Sequence, residues 1–472
     1  MIEGINLDDI HELINRQLDE GATFAQLKCH HIKSRRNYSW SSGKLNSSFK
    51  MNKQVWVLRS FNDGAWGGIV SNSFNELKET ASRSSKLARD IADRMGSSSK
   101  VVNDIMVSKP IRQLRQTVVS EFKYPETEEV LLYLRETENC GPENSKYRYR
   151  DSLVDFYYWD SEHTRGVKSY FNASLNFEHI GDEGRHRILH RDFYYTQNTE
   201  NEFNFKNIPW QSELQDLAQT LKQEAFRGPS PEGMVWVLSP KAFSQLLYDT
   251  LGPSLCLERP DPFIESLNPA SLDGSNITSD KLTLHTSPAV FSEKPFLDEE
   301  GIPAKKLCLI DKGIFNNLLL TRQSSFHLNR SLSIHKEKIL AGSSRSSIND
   351  NSIKPDLQYI EVDQGEDLDS FFKKGYIYIN DLHIQKLHTH GNTFSITAND
   401  CLVNKFGGLH KRHLKRMHFI INRDDLWQRL VAIGNESELN HIQQRNQYYS
   451  GEAYSTFKVP KAVFTGAQCS WN

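Results

Sequence analysis

The sequence predicts an α+β fold in two units, the first with antiparallel strands and helices and the second rich in short strands. Three observations lead there. Residues 37–72 alternate apolar and polar side chains between tight-turn residues, residues 152–197 are dense in aromatic and β-branched residues, and a run of short strand-like segments begins at Met234. A chain of 472 residues exceeds one ordinary core, so two or three packed units are expected.

Taken in order, the first element is a helix that starts after Asn6. Asp8 and Asp9 stand in its first turn, Ile10, Leu13, Ile14 and Leu18 share one face, and Gly21 supplies a left-handed stop. A meander follows, with turns expected at Ser42-Gly43, Asn52-Lys53 and Asn62-Asp63-Gly64. One helix is expected over Phe74–Met95, buried through Leu77, Ala81, Ala88, Ile91 and Ala92 and stopped by Gly96. Long antiparallel hairpins should fill a central region of about 110–210, broken at Thr164-Arg165-Gly166 and Gly181-Asp182-Glu183-Gly184.

A helix over Leu214–Phe226 ends at the cluster "RGPSPEG", which divides the chain into expected domains 1–228 and 229–472. Beyond it "MVWVL" opens as a strand. The helix "FSQLLYDTLGPS" then carries Phe243, Leu246, Leu247, Thr250 and Leu251 at helical period and should close at Gly252-Pro253. Ala341–Pro355, polar and without period, reads as a mobile loop.

Charge is nearly balanced, with 57 basic and 59 acidic residues, which excludes a partner chosen by bulk electrostatics and so argues against nucleic acid and membrane surfaces. "MIEGINLDDIHELINRQLDEG" has no basic start before an apolar run, and no segment reaches the ~20 apolar residues of a membrane span, so a soluble cytoplasmic protein is expected. Six scattered cysteines form no C-x-x-C pair, so neither a disulfide framework nor a cysteine zinc knuckle is indicated; reduced, mostly buried thiols are the expectation.

Several segments, in order and at compatible spacing, resemble the TldD/TldE (PmbA) metallopeptidase family across almost the whole chain. They are "VWVLRSFNDGAWGGIVSN", "GMVWVLSPKAFSQLLYDTLG", "KPFLDEEGIPAKKLCLIDKGIFNNLLLTR", "LAGSSR", "YIEVDQGEDLDSFFKKGYIYI", "HGNTFSITANDCLVNKFG", "DLWQRLVAIGNE" and "TFKVPKAVFTGA". The resemblance implies an N-terminal α/β region and a C-terminal β-rich region of the TldD/PmbA type, assembled with a partner subunit around an enclosed peptidase chamber.

It also implies a history for the helix at 243–251. The catalytic TldD-type subunit carries His-Glu-x-x-x-His there, two imidazoles for zinc and a glutamate for the metal-bound water. The matching positions in this sequence are Tyr248, Asp249 and Pro253. A phenol with a pKa near ~10 is a poor zinc ligand at neutral pH, and proline has no side-chain donor. Nor does Glu436–Pro460 contain the late cysteine that serves the TldD-type subunit as third ligand. The resemblance is therefore to the TldE (PmbA) subunit, with no catalytic residue, metal ligand or cofactor in this chain. Zinc is expected in a TldD-like partner, and the pair would process unfolded or precursor peptides. The alternative is a subunit or stand-alone enzyme of a natural-product pathway that uses the same cavity for another reaction.

Other polar clusters have plainer readings. His388 and His390 have a strand spacing that can hold a metal, yet a pair beside Gly-Asn reads as solvent-facing. "HKRHLKRMH", with His410, His413 and His418, lacks the interleaved aromatics of a nucleic-acid patch. Cys256 and Glu258 show no base to activate a thiol, and Asp298, Glu299 and Glu300 read as a structural acidic turn.

Overall fold

The computed structural model describes residues 5–62, 64–99, 114–115, 123–143, 145–180, 188–198, 203–221, 234–257, 276–292, 296–325, 342–346, 353–373, 375–387, 393–404, 411–414, 417–443, 454–466 and 470–471. The expected α+β architecture is present. Helix α1 (Leu7–Asp19) is capped by Asn6, whose side chain accepts the Asp8 N–H at 3.2 Å, and Gly21 turns the chain out at φ 94°. Its buried face holds Gln17 beside Ile10, Leu13 and Ile14, because Ser60 and Ser85 donate to Gln17 Oε1 at 2.8 and 2.6 Å.

The N-terminal sheet has seven strands: β1 (Phe24–Ser41), β2 (Lys44–Asn62), β3 (Ala65–Ser71), β4 (Leu114–Arg115), β5 (Ser145–Asp160), β6 (Arg165–Ile180) and β7 (Ile188–Asn198). The order β3-β2-β1-β5-β6 is antiparallel throughout, and β7 and β4 pair with β6. The turn expected at Asn52-Lys53 is absent, since β2 runs straight through it. The irregularity lies across the ladder instead, where β1 bulges between Ile32, opposite Lys53, and Arg35, opposite Met51.

The single helix expected at 74–95 is two, α2 (Phe74–Thr80) and α3 (Ser82–Ser99), broken at Ala81, and α3 passes Gly96 without stopping. Packing sets the character of α3. The buried stripe of α3 is small and partly polar, Ser84, Ser85, Ala88 and Ala92, because the helix rides directly on Gly67, where an added Cβ would come within 2.1 Å of the Ser84 carbonyl oxygen. The far half of the sheet is covered by α4 (Thr127–Cys140) and α5 (Trp210–Leu221) through an aromatic core that includes Tyr149, Phe171, Phe177 and Trp210.

The C-terminal sheet has twelve strands, with β8 (Val235–Leu238) between Tyr376–Lys386, parallel to it, and Tyr454–Thr465, antiparallel. Helix α6 (Pro240–Leu246) packs on this sheet and on Leu430–Gln443, in a core with Trp236, Phe243, Leu247, Trp427 and Phe464. Within the loop expected at Ala341–Pro355, Ser344–Ser346 pairs antiparallel with Ile353–Pro355. None of the described cysteines forms a disulfide, but only Cys29 and Cys401 among them are fully buried, fewer than expected. Among the described residues no helix is long and apolar enough to cross a membrane. The expected breaks at 181–184 and 227–233 lie outside the described residues.

Candidate functional site

Strand β8 delivers the chain into the helix singled out by sequence. Ser239 caps it by accepting the Ala242 N–H at 3.1 Å, Pro240 takes the first position, and Phe243, Leu246, Leu247 and Leu251 face the core. The helix does not close at Gly252-Pro253. It widens into a π-turn over Leu247–Leu251, where the Gly252 N–H reaches back five residues to the Leu247 carbonyl, and runs on to Leu255. In a regular α-helix Pro253 would crowd the carbonyl four residues back; the widened turn accommodates it.

The three positions of the degenerate motif do not converge. Tyr248 is buried with its ring against Phe457, and its hydroxyl lies 3.4 Å from Asp356 Oδ1. Burial holds the phenol well above its ordinary pKa. Asp249 is half-buried and accepts from Gln245 Nε2 at 2.6 Å, while Pro253 is exposed. Among the described residues no group of three or more His, Cys, Asp or Glu side chains is placed to hold a metal ion.

From Tyr248 a chain of buried polar groups leads to the N-terminal sheet. Asp356 carries a carboxyl raised by burial and lies 3.7 Å from Arg345 Nε, and Arg345 Nη2 donates to the Tyr454 carbonyl at 3.1 Å. Next comes the acidic turn Asp298–Gly301, which is structural as expected. Asp298 accepts the N–H groups of Glu300, Ile302 and Ser344 at 2.8–2.9 Å, and Glu300 Oε2 accepts from Arg322 N and Ser344 Oγ. The turn is also a contact between the sheets. The Glu300 carbonyl accepts from Tyr158 Oη at 2.8 Å and Arg322 Nε at 3.0 Å, and Arg322 reaches Glu162 at 2.9 Å and Asp160 at 3.7 Å. Gly301, at φ 74°, is required twice over, since a Cβ there would also meet Tyr158 Cε1 at 2.3 Å.

Facing this turn, β1 presents Gln26, Lys28 and His30 on one side of the strand, all nine-tenths or more buried. Sequence reasoning missed them. Their only signal is the alternation "AQLKCHH", whose polar half looks like a solvent face and is covered here by the C-terminal region. Arg322, Arg345 and Asp356 were missed for the same reason. His388, His390, His410 and Glu258 lie outside the described residues, as does the side chain of His413. His418 shares a hydrogen bond of 2.8 Å with Ser395, and Cys256 sits in a two-residue strand paired with Leu319.

The sequence profile of the PmbA/TldA metallopeptidase C-terminal domain matches residues 231–470. The chain belongs to the TldD/PmbA metallopeptidase family. Three solved structures share its fold. TldE from Thermococcus kodakarensis superimposes with a TM-score of 0.68 at 15% identity, covering 98% of this chain and 100% of the other. Proteins described as modulators of DNA gyrase follow. That from Bacteroides thetaiotaomicron has a TM-score of 0.67 at 18% identity with both chains fully covered. That from Thermotoga maritima has 0.66 at 14%, covering 98% and 99%. None of the curated proteins matches the chain. Within the family fold, the helix at 240–255 holds side chains that do not suit zinc, whereas its cap, π-turn and core contacts are intact.

Proposed function

We propose that this chain is a TldE/PmbA-like, non-catalytic subunit that pairs in the cytoplasm with a zinc-bearing TldD-like subunit to form a peptidase for unfolded or precursor peptides. The observation that supports it most is the helix at 240–255, built as carefully as any core element yet carrying Tyr248, Asp249 and Pro253 at the positions that matter for zinc. Tyr248 is bound into the protein interior and Pro253 points to solvent, so the scaffold persists while its donors do not converge. The family fold supports the pairing, because two subunits of one architecture can form a pseudo-twofold pair whose few differing residues select the partner. The three positions would then belong to the wall of the shared chamber rather than to a catalyst, Asp249 and Pro253 at its surface and Tyr248 packed behind them. Co-expression with a TldD-like chain tests this. A stable complex at micromolar concentration, and peptide hydrolysis that requires the partner's zinc, are expected. Separate elution with partner activity unchanged by this chain would refute the pairing, and hydrolysis by this chain alone would refute the non-catalytic role.

A further inference from the structure

The contact between β1 and the acidic turn gathers charges that a purely structural contact would avoid. From β1 come Gln26, Lys28 and His30, with 0%, 0% and 4% of their surface exposed. Their terminal nitrogens, Gln26 Nε2, Lys28 Nζ and His30 Nε2, have no hydrogen-bond partner among the described residues, and His30 Nε2 stops 3.7 Å short of Glu299 Oε2. From β2, Arg59 stands opposite Gln26 and lies over the Trp66 ring. From β5 and the turn after it come Tyr158, Asp160 and Glu162, and from β6 comes Lys168, close enough to act on His30. The C-terminal side supplies Asp298, Glu299, Glu300 and Arg322.

A lysine ammonium with no hydrogen-bond partner and no solvent is among the most expensive groups a protein can bury, and a hydrophobic residue of similar volume would be more stable there. Groups perturbed in this way gather where they serve a function. We infer that this contact is a joint held closed against its own buried charge, which opens and lets the N-terminal sheet part from the Asp298–Gly301 turn. This inference does not depend on which partner the chain meets.

The signs follow group by group. Burial lowers Lys28 from 10.5 to about 7, so between those values the closed joint holds fewer protons than the open one and gains stability as pH rises. Burial raises Asp160 from 3.8 to about 6, against the pull of Arg322, and burial together with Glu300 raises Asp298. The closed joint therefore takes up protons at these two carboxyls and loses stability as pH rises across the acid range. His30, lowered by burial to about 4, acts in the opposite sense there, but one imidazole is set against two carboxyls. Tyr158, raised by burial, limits the alkaline gain only near the upper end. The two limbs meet close to neutrality.

Amide hydrogen exchange of the whole protein from pH 5 to 9, corrected for intrinsic exchange rates, tests this. Peptides covering Gln26–His30 and Asp298–Ile302 are read against Ala462–Phe464 in the C-terminal core as an internal reference. Protection of the two joint peptides should pass through a minimum near pH 7 while the reference stays level. Lys28→Met and Lys28→Gln should each abolish the rise above pH 7 and slow exchange at neutral pH by about tenfold or more, the equivalent of one pKa unit. The second variant guards against a packing effect peculiar to methionine. Protection that changes in one direction only across the range, a joint that follows the reference at every pH, or a Lys28 variant with the wild-type profile would each overturn the inference.

Discussion

Replacing Arg322 with methionine probes the largest concentration of charge between the two sheets. The guanidinium is fully buried, donates to the Glu300 carbonyl at 3.0 Å and Glu162 at 2.9 Å, lies 3.7 Å from Asp160, and stacks over Phe24 at 4.9 Å. Methionine keeps most of the apolar stem and its contact with Phe24. What disappears is the cation, leaving the buried Asp160 carboxylate without its counter-charge and the Glu300 carbonyl with one donor fewer. Removing one partner of a buried ion pair costs about 3–5 kcal/mol.

The loss should depend on pH in a defined sense. Arg322 holds the Asp160 carboxyl down against burial, so in Arg322→Met that pKa climbs above its present value of about 6. Folding then takes up a proton, and the variant regains stability as pH falls. The deficit should shrink by about 1–2 kcal/mol between pH 8 and pH 5. Urea unfolding at the two pH values reads both numbers, with Glu162→Gln as a control that leaves the Asp160 contact in place. A deficit below about 1 kcal/mol at pH 8, or one that grows on acidification, would refute the account of this cluster.

Further outcomes can be measured in the same way. Gly301→Ala should lose about 2–4 kcal/mol, since it combines a positive φ with a Cβ driven into Tyr158, and urea unfolding would show it. Thr250→Val should lose about 1–3 kcal/mol, because the buried Trp427 indole N–H, 3.0 Å from Thr250 Oγ1, is left without an acceptor; indole fluorescence follows the transition. The double change Tyr248→His with Pro253→His should give neither stoichiometric zinc by elemental analysis nor peptide hydrolysis, because position 248 faces the interior and position 253 faces solvent. One zinc per chain in that variant would show that the two positions converge after all.

The architecture was legible where an element's own period and its end residues carry the signal. The α1 cap at Asn6, its stop at Gly21, the hairpins of the aromatic region and the strand at β8 follow from period and turn chemistry alone. Legibility failed where contacts from distant parts of the chain decide the pattern. The serine and alanine stripe of α3 is set by Gly67 and not by hydropathy, and the continuation past Gly252-Pro253 depends on a π-turn that no local signal announces. Gln26, Lys28 and His30 share a polar pattern with any exposed strand face. Only the arrival of residues 298–301, far away in the chain, makes them interior. At the degenerate helix the side-chain identities were readable, but their divergence, Tyr248 inward and Pro253 outward, was not.

The position of β8 has a consequence for how the chain is made. Every strand of the N-terminal sheet lies between Phe24 and Asn198, so that half can assemble while the ribosome is still adding residues. By contrast β8, complete by Leu238, has its two neighbours at 376–379 and 462–465. During synthesis the central strand of the C-terminal sheet therefore waits with both hydrogen-bonding edges open until residues 376–379 emerge, and with one edge still open until residues 462–465 do. Such a nascent chain is a natural client for chaperones, and slowing translation across that interval should lower the yield of folded protein without changing the fold of what survives.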